Sequence, residues 1–183
     1  MRRRALLAAS MGGADYEELE YLEFDGTLIF DTLCYGTEKT SIDVKFQRTD
    51  TASNVYLYGV SVSPRLAAYL GQSGYWRYGE AAYPTFNTKN TNITVATVTP
   101  TETRVGSYSR SYTPSAFTTK FTLPVGGHKP SSGVATPQFK GRIYYFKMGV
   151  DGFSLVDWIP VRRKSDGLEC FYDKVTKSFV EPL

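Results

Sequence analysis

Residues Gly141–Phe179 read GRIYYFKMGVDGFSLVDWIPVRRKSDGLECFYDKVTKSF, and the order of strand and turn signals in this stretch decides the fold. In Arg142–Met148 large side chains fall on both faces, as in a strand of a sandwich core. Val150-Asp151-Gly152-Phe153 supplies an Asp-Gly turn that returns the chain as Ser154–Ile159. Ser165-Asp166-Gly167 then makes a second turn ahead of Leu168–Tyr172. The stretch reads as the closing meander of an antiparallel β-sandwich.

Upstream, the chain repeats the same logic. Thr40–Gln47 alternates strictly, with Ile42, Val44 and Phe46 on one face and Ser41, Asp43, Lys45 and Gln47 on the other, which predicts a half-buried antiparallel strand. Further strands are expected over Asn54–Val62, Arg65–Leu70 and Gly74–Gly79, then over Asn92–Val98 paired with Glu102–Tyr108 around Thr99-Pro100-Thr101, and from Ala116 to Leu123. Short strands at regular spacing point to a sandwich or barrel. Val125–Gln138, rich in Gly, Pro and Ser, reads as a long surface loop. Residues 1–15 read as an N-terminal arm ahead of a single domain over 16–183, with Gly12-Gly13 as its joint.

Composition sets limits on function. A chain of 183 residues suits one domain, and an aromatic fraction of 15% with many Tyr and Thr favours strands. The net charge of +3 is thinly spread, with basic clusters at Arg2-Arg3-Arg4 and Arg162-Arg163-Lys164, so no continuous basic face for nucleic acid is expected. The apolar run Ala5–Ala9 is about five residues, short of a secretory h-region. No stretch approaches the roughly twenty apolar residues of a membrane span, so membrane insertion is not expected. Cys34 and Cys170 are read as free thiols.

Catalytic chemistry finds little to stand on. Glu17-Glu18-Leu19-Glu20 is the dense acidic run, but it lacks the alternating spacing that places two carboxylates on one strand face for glycoside hydrolysis, and reads as solvated charge. His128 is the only histidine and has no His or Cys at ligand spacing, so neither a zinc site nor a nucleophile–base pair is expected. Asp25, Asp31, Asp50, Asp151 and Asp157 are candidates for a structural calcium, yet none sits in a ligand-dense run and turn chemistry accounts for several. No catalytic residue, metal ligand or cofactor is assigned.

Two polar or aromatic sets stand out. Asp157, Arg162, Arg163, Asp166 and Asp173 are expected to form an internal network that fixes the last strands, with Asp157 or Asp173 accepting from an arginine and Pro160 at a strand edge or bulge. The alternative use of its arginines is a clamp for an acidic sugar or a partner's carboxylate. Tyr69, Tyr75, Trp76, Tyr78 and Tyr83 crowd one short stretch, and sugars stack on such rings. In a strand, Tyr75 and Arg77 share one face and Trp76 and Tyr78 the other, and one of those faces is core. Tyr75, Trp76 and Tyr78 are the candidate glycan contacts, as in a carbohydrate-binding module.

Asp157-Trp158-Ile159-Pro160-Val161-Arg162-Arg163-Lys164-Ser165-Asp166-Gly167 followed by Tyr172-Asp173, together with Leu19-Glu20-Tyr21-Leu22-Glu23, Gly26-Thr27 and Phe30-Asp31-Thr32 at the other end, carry a family resemblance. The chain resembles the concanavalin A-like, laminin-G-like jelly-roll domains of bacteriophage and prophage structural proteins from gut bacteria, over nearly its whole length from about Glu18 to Phe179. One position departs: the glycine that follows the first Asp-Thr in that group is Leu33 here. The resemblance implies an all-β jelly roll and a non-enzymatic virion component, such as a capsid decoration, head-fibre or tail protein. It further implies manufacture in the host cytoplasm, assembly in several copies with other virion proteins, and possible contact with host-surface glycans. Arg2, Arg3, Arg4, Leu6 and Leu7 of the arm would anchor it.

Overall fold

The computed structural model describes residues 15–51, 54–71, 74–82 and 90–183. The expected anchor, Arg2, Arg3, Arg4, Leu6 and Leu7, lies outside the described residues, as does Tyr83. From the N-terminal side the strands are β1 (Tyr16–Glu18), β2 (Leu22–Asp25), β3 (Phe30–Thr37), β4 (Thr40–Arg48), β5 (Val55–Val60) and β6 (Arg65–Leu70). Next come β7 (Tyr75–Gly79), β8 (Ala81–Ala82), β9 (Thr94–Val98), β10 (Glu102–Val105), β11 (Tyr108–Ser111) and β12 (Thr118–Val125). The chain closes with β13 (Gly127–His128), β14 (Thr136–Pro137), β15 (Lys140–Val150), β16 (Phe153–Arg163), β17 (Glu169–Asp173) and β18 (Ser178–Val180). No helix occurs among the described residues.

These strands form an antiparallel β-sandwich of jelly-roll-like character, as the sequence predicts. One sheet runs β11-β10-β9-β4-β15-β16-β17-β18, and the facing sheet runs β3-β12-β5-β6-β7-β8. The hairpin β15–β16 turns at Asp151-Gly152, where both residues have positive φ (53° and 81°), the geometry that a two-residue hairpin of matching twist demands. Toward their far ends β15 and β16 diverge, and the N-terminal strands enter the gap: β2 pairs with Lys140–Ile143 and β1 with Val161–Arg163. The acidic run, expected to be solvated charge, thus lies partly in a paired strand, and Glu17 pairs with Arg162 at 3.2 Å. Pro160 lies inside β16, at neither an edge nor a bulge. Its carbonyl accepts from Leu19 N–H (2.9 Å), and its missing donor falls just where β1 ends.

Between the sheets lies an aromatic core. Alternation in β4 buries Ile42, Val44 and Phe46, while Phe146, Trp158 and Phe171 from the same sheet meet Phe30, Tyr58 and Trp76 from the other. Trp158 stacks on Phe171 (5.3 Å between centroids) and reaches Phe30 across the sandwich at 6.3 Å. Cys34 and Cys170 are free thiols, and burial raises both, Cys170 to about 11.

Leu33 occupies a left-handed conformation (φ 58°) with its side chain 79% exposed. An L-residue there carries a steric cost that glycine avoids, and the exposed leucine recovers almost no burial in return. Leu33→Gly is therefore expected to raise the unfolding free energy by roughly 0.5–1 kcal/mol, net of the extra chain entropy glycine adds to the unfolded state. Urea titration measures it, and an unchanged or lower value would show that the turn carries no such strain.

Candidate functional site

Successive residues of a strand point to opposite faces, so β7 must divide its aromatic residues between core and exterior. Trp76 and Tyr78 are the inward pair, each 1% exposed: Trp76 packs on Tyr58 at 5.8 Å, and Tyr78 donates its hydroxyl to the Thr40 carbonyl at 2.8 Å. The sugar-contact expectation for these two is corrected accordingly, since a ring inside the sandwich offers no face to a ligand. Tyr75 and Arg77 are the outward pair, as their shared face implied.

Around Tyr75 the outer face of the second sheet gathers a cluster. Tyr69 lies directly opposite Tyr75 in the ladder and stacks on it at 4.8 Å. Tyr56, opposite Tyr69 on β5, contacts Tyr69 at 4.7 Å and shares a 2.8 Å hydroxyl–hydroxyl hydrogen bond with Tyr75. His128, from the segment expected to be a loop, stacks on Tyr56 at 4.2 Å. The Arg77 guanidinium sits over the Tyr75 ring at 4.8 Å. Arg65 lies diagonally across from Arg77 in the β6–β7 ladder and donates Nε–H to the Ser61 carbonyl at 2.9 Å. All six side chains are half-buried.

The local reasons are readable residue by residue. A bulge between Tyr56 and Tyr58 turns Tyr56 outward while Tyr58 enters the core, although strict alternation would have placed both on one face. Val125–Gln138 folds back on the sheet: β13 pairs with β14, Lys129 N–H donates to the Gly59 carbonyl (2.9 Å), and Ser61 N–H donates to the Lys129 carbonyl (3.1 Å). That return brings His128 to Tyr56. Burial lowers the His128 pKa, so the imidazole is neutral at pH 7, and burial first, then the Tyr75 hydrogen bond, pushes the Tyr56 hydroxyl far above its ordinary value. Sequence reasoning named Tyr69 and Tyr75 in its aromatic crowd and placed Arg77 on the face of Tyr75. It missed Tyr56 and His128, because the bulge and the fold-back carry no local mark, and Arg65, because nothing in β6 alone sets it apart.

The C-terminal polar set is brought together in part, with different partners. Arg163 grips Asp166 through two hydrogen bonds (3.0 and 2.6 Å) and also reaches Glu181 (2.6 Å). The Arg163 bonds are the main cause that holds the Asp166 carboxyl at about 2. Arg162 pairs with Glu169 at 3.0 Å as well as with Glu17. Neither Asp157 nor Asp173 accepts from an arginine, which corrects that expectation. Asp157 faces Lys147 at 3.6 Å, and Asp173 accepts from the backbone of Asp157 and Val175 and from the Thr176 hydroxyl, fixing the turn before β18. Each arginine already holds carboxylates, so neither is a clamp in waiting.

A cleft of about 490 Å³ opens between the edges of β3 and β18. Its polar lining is engaged within the protein: Asp31 pairs with Lys129, Asp173 binds the turn, and Glu181 binds Arg163. The remaining wall, with Leu33, Leu155, Phe179 and Leu183, is apolar. On the outer aromatic face, by contrast, Arg77 Nε and His128 Nδ1 have no hydrogen-bond partner among the described residues, which makes that face the better candidate for recognition.

Among the described residues no three His, Cys, Asp or Glu side chains assemble into a metal-ligand set. Of the calcium candidates, Asp25 binds Thr27 (2.8 and 2.6 Å), Asp31 pairs with Lys129, Asp151 pairs with Lys39 at 2.9 Å, and Asp157 faces Lys147. Asp50 also interacts within the protein. No protein-family model matches the chain, and no curated protein does.

Proposed function

We propose that this chain is a non-enzymatic recognition module whose outer aromatic face, Tyr56, Tyr69 and Tyr75 with Arg65, Arg77 and His128, binds a glycan. The observation that carries the reading is the placement of stacked tyrosine rings beside a guanidinium on the solvent side of a rigid sheet. Aromatic rings supply apolar faces for sugar C–H groups, and neighbouring donors read hydroxyls. A sheet supports such a cluster better than a loop, because the ladder holds each ring in register.

The setting proposed for this module is a bacteriophage particle, as a capsid decoration, head-fibre or tail component present in several copies. The N-terminal arm, with Arg2, Arg3, Arg4, Leu6 and Leu7, would grip neighbouring virion proteins, and the sandwich would meet host-surface glycans. Support for the setting comes from the resemblance at both ends of the chain. The second reading, a carbohydrate-binding module outside any virion, uses the same aromatic face and needs no assembly.

A glycan array tests the binding reading. Selective binding is expected, with Tyr75→Ala weakening it about tenfold, the scale of one aromatic stacking contact. Absence of any selective binding would overturn the glycan assignment. Mass spectrometry of density-purified phage from the source culture separates the two settings: recovery at the copy number of capsid or tail proteins supports the virion, and absence from particles supports the free module.

A further inference from the structure

Charge on the aromatic face is one-sided. Arg77 lies half-buried with its Nε enclosed, yet among the described residues no carbonyl or carboxylate accepts a hydrogen bond from it, and its contact is the Tyr75 ring. Arg65 uses Nε on the Ser61 carbonyl, and no carboxylate among the described residues forms an ion pair with it. Arg104, Arg162 and Arg163 by contrast each hold an acid at 3.2 Å or less, while Arg142, like Arg77, lies over a tyrosine ring with its Nε unpartnered but has no second arginine beside it in the ladders of the other sheet. Glu80, next to Gly79 in sequence, accepts from Ser63, and Asp31 pairs with Lys129. His128 Nδ1 is likewise enclosed without a partner.

The ladder places the two arginines as a pair. Arg77 stands opposite Ala67, and Arg65, two residues before Ala67 on the same strand, stands opposite Gly79. Outward residues in this diagonal relation lie about 7–8 Å apart at the backbone, close enough for two long side chains to close on one small group between them. Ala67 and Gly79 opposite them add no bulk beyond a methyl group. Arg77 is also supported by the Tyr75 ring, with its guanidinium carbon 4.8 Å from the ring centre.

A half-buried guanidinium without an internal acid favours an external anion, and two such groups side by side select a planar or tetrahedral oxyanion over a neutral hydroxyl. Resting on the glycan reading above, we infer that the ligand of this face is an acidic sugar, whose carboxylate or phosphate is taken by Arg77 and Arg65 while its ring packs against the outer edges of the Tyr69–Tyr75 cluster.

The test uses the full chain on an array in which each uronic, sialic or phosphorylated glycan stands beside its carboxyl-reduced or dephosphorylated form. The expected result is that the bound set is acidic, that removal of the acid weakens binding about tenfold or more, and that Arg77→Gln erases this preference. Arg65→Gln is the companion variant, which keeps the question answerable if Arg77→Gln unfolds; Arg104→Gln, on the other sheet, controls for net charge. The carboxylate and phosphate pairs show which oxyanion is used. Equal binding to acidic and neutral partners overturns the acidic assignment and leaves glycan binding standing. Binding to every polyanion that Arg104→Gln weakens as much as Arg77→Gln also overturns it, since net charge would then be the cause. No binding to any glycan removes the underlying reading and this inference with it.

Discussion

Lys129→Met is expected to destabilise the protein by about 3–5 kcal/mol, because it leaves a buried carboxylate without its counter-charge. Asp31 and Lys129 are only 9% and 10% exposed at their side chains. Lys129 Nζ donates both to Asp31 and, at 2.6 Å, to Thr122, whose hydroxyl donates on to Asp31 at 2.9 Å. With the ammonium gone, Asp31 keeps the Thr122 hydroxyl and Leu33 N–H, at 2.9 Å each, too little to replace the hydration it lost. The Lys129 backbone stays anchored by its bonds to Gly59 and Ser61, so the variant isolates the side chain. A loss of this size is a large part of a typical domain's total. The double variant Asp31→Asn with Lys129→Met should be clearly less damaged than Lys129→Met alone, since no charge then remains buried. Urea denaturation of the single and double variants measures the coupling, and a loss under about 1 kcal/mol for Lys129→Met would show that water reaches the pair.

Trp158→Ala should be of similar severity by a different route, about 3–5 kcal/mol and a fall in melting temperature of about 10 °C. Trp158 is buried against Phe171, Phe146 and Phe30, so it joins two strands of its own sheet to the edge strand of the other. Its removal leaves a void that the stiff ladders around it cannot close. The same residue lines the cleft between β3 and β18, so the void would merge with that opening and admit water. Trp76, the second of two tryptophans and also buried, serves as the fluorescent reporter of unfolding. Trp158→Phe keeps most of the contact and should lose far less; equal losses for the two variants would mean that the indole's size is not what the core depends on.

The parts of this fold that were legible from sequence are those in which one residue decides one geometric choice. Asp151-Gly152 admits the positive φ values that a two-residue hairpin requires, and Ile42, Val44 and Phe46 leave β4 a single face to bury. Where two side chains competed for one role, the sequence held both answers. Alternation in β7 separated Tyr75 and Arg77 from Trp76 and Tyr78, and the pairing of both neighbouring strands had to be known before the core side could be chosen. The bulges were not legible, because an extra residue changes the face of everything beyond it without altering composition: one turns Tyr56 outward, and another brings Tyr144 and Tyr145 both to the exterior, bonded to Gln47 and Asp43. The arginine partners were hidden for a related reason. Arg163 closes on Asp166 three residues away, but Glu17 reaches Arg162 only because β1 enters the fork between β15 and β16.

That fork also sets a timetable. Leu22 and Phe24 belong to a strand whose neighbour begins at Lys140, so on the ribosome their apolar faces wait on the order of ten seconds for the chain that will cover them. Most of the second sheet can zip locally through β5, β6 and β7 in the meantime, whereas the first remains unfinished until the final meander has emerged and wrapped around the opening strands. A nascent chain stopped before Lys140 is thus an open half-sandwich with β2 uncovered, and the sheet closes only once β15 to β17 have all emerged.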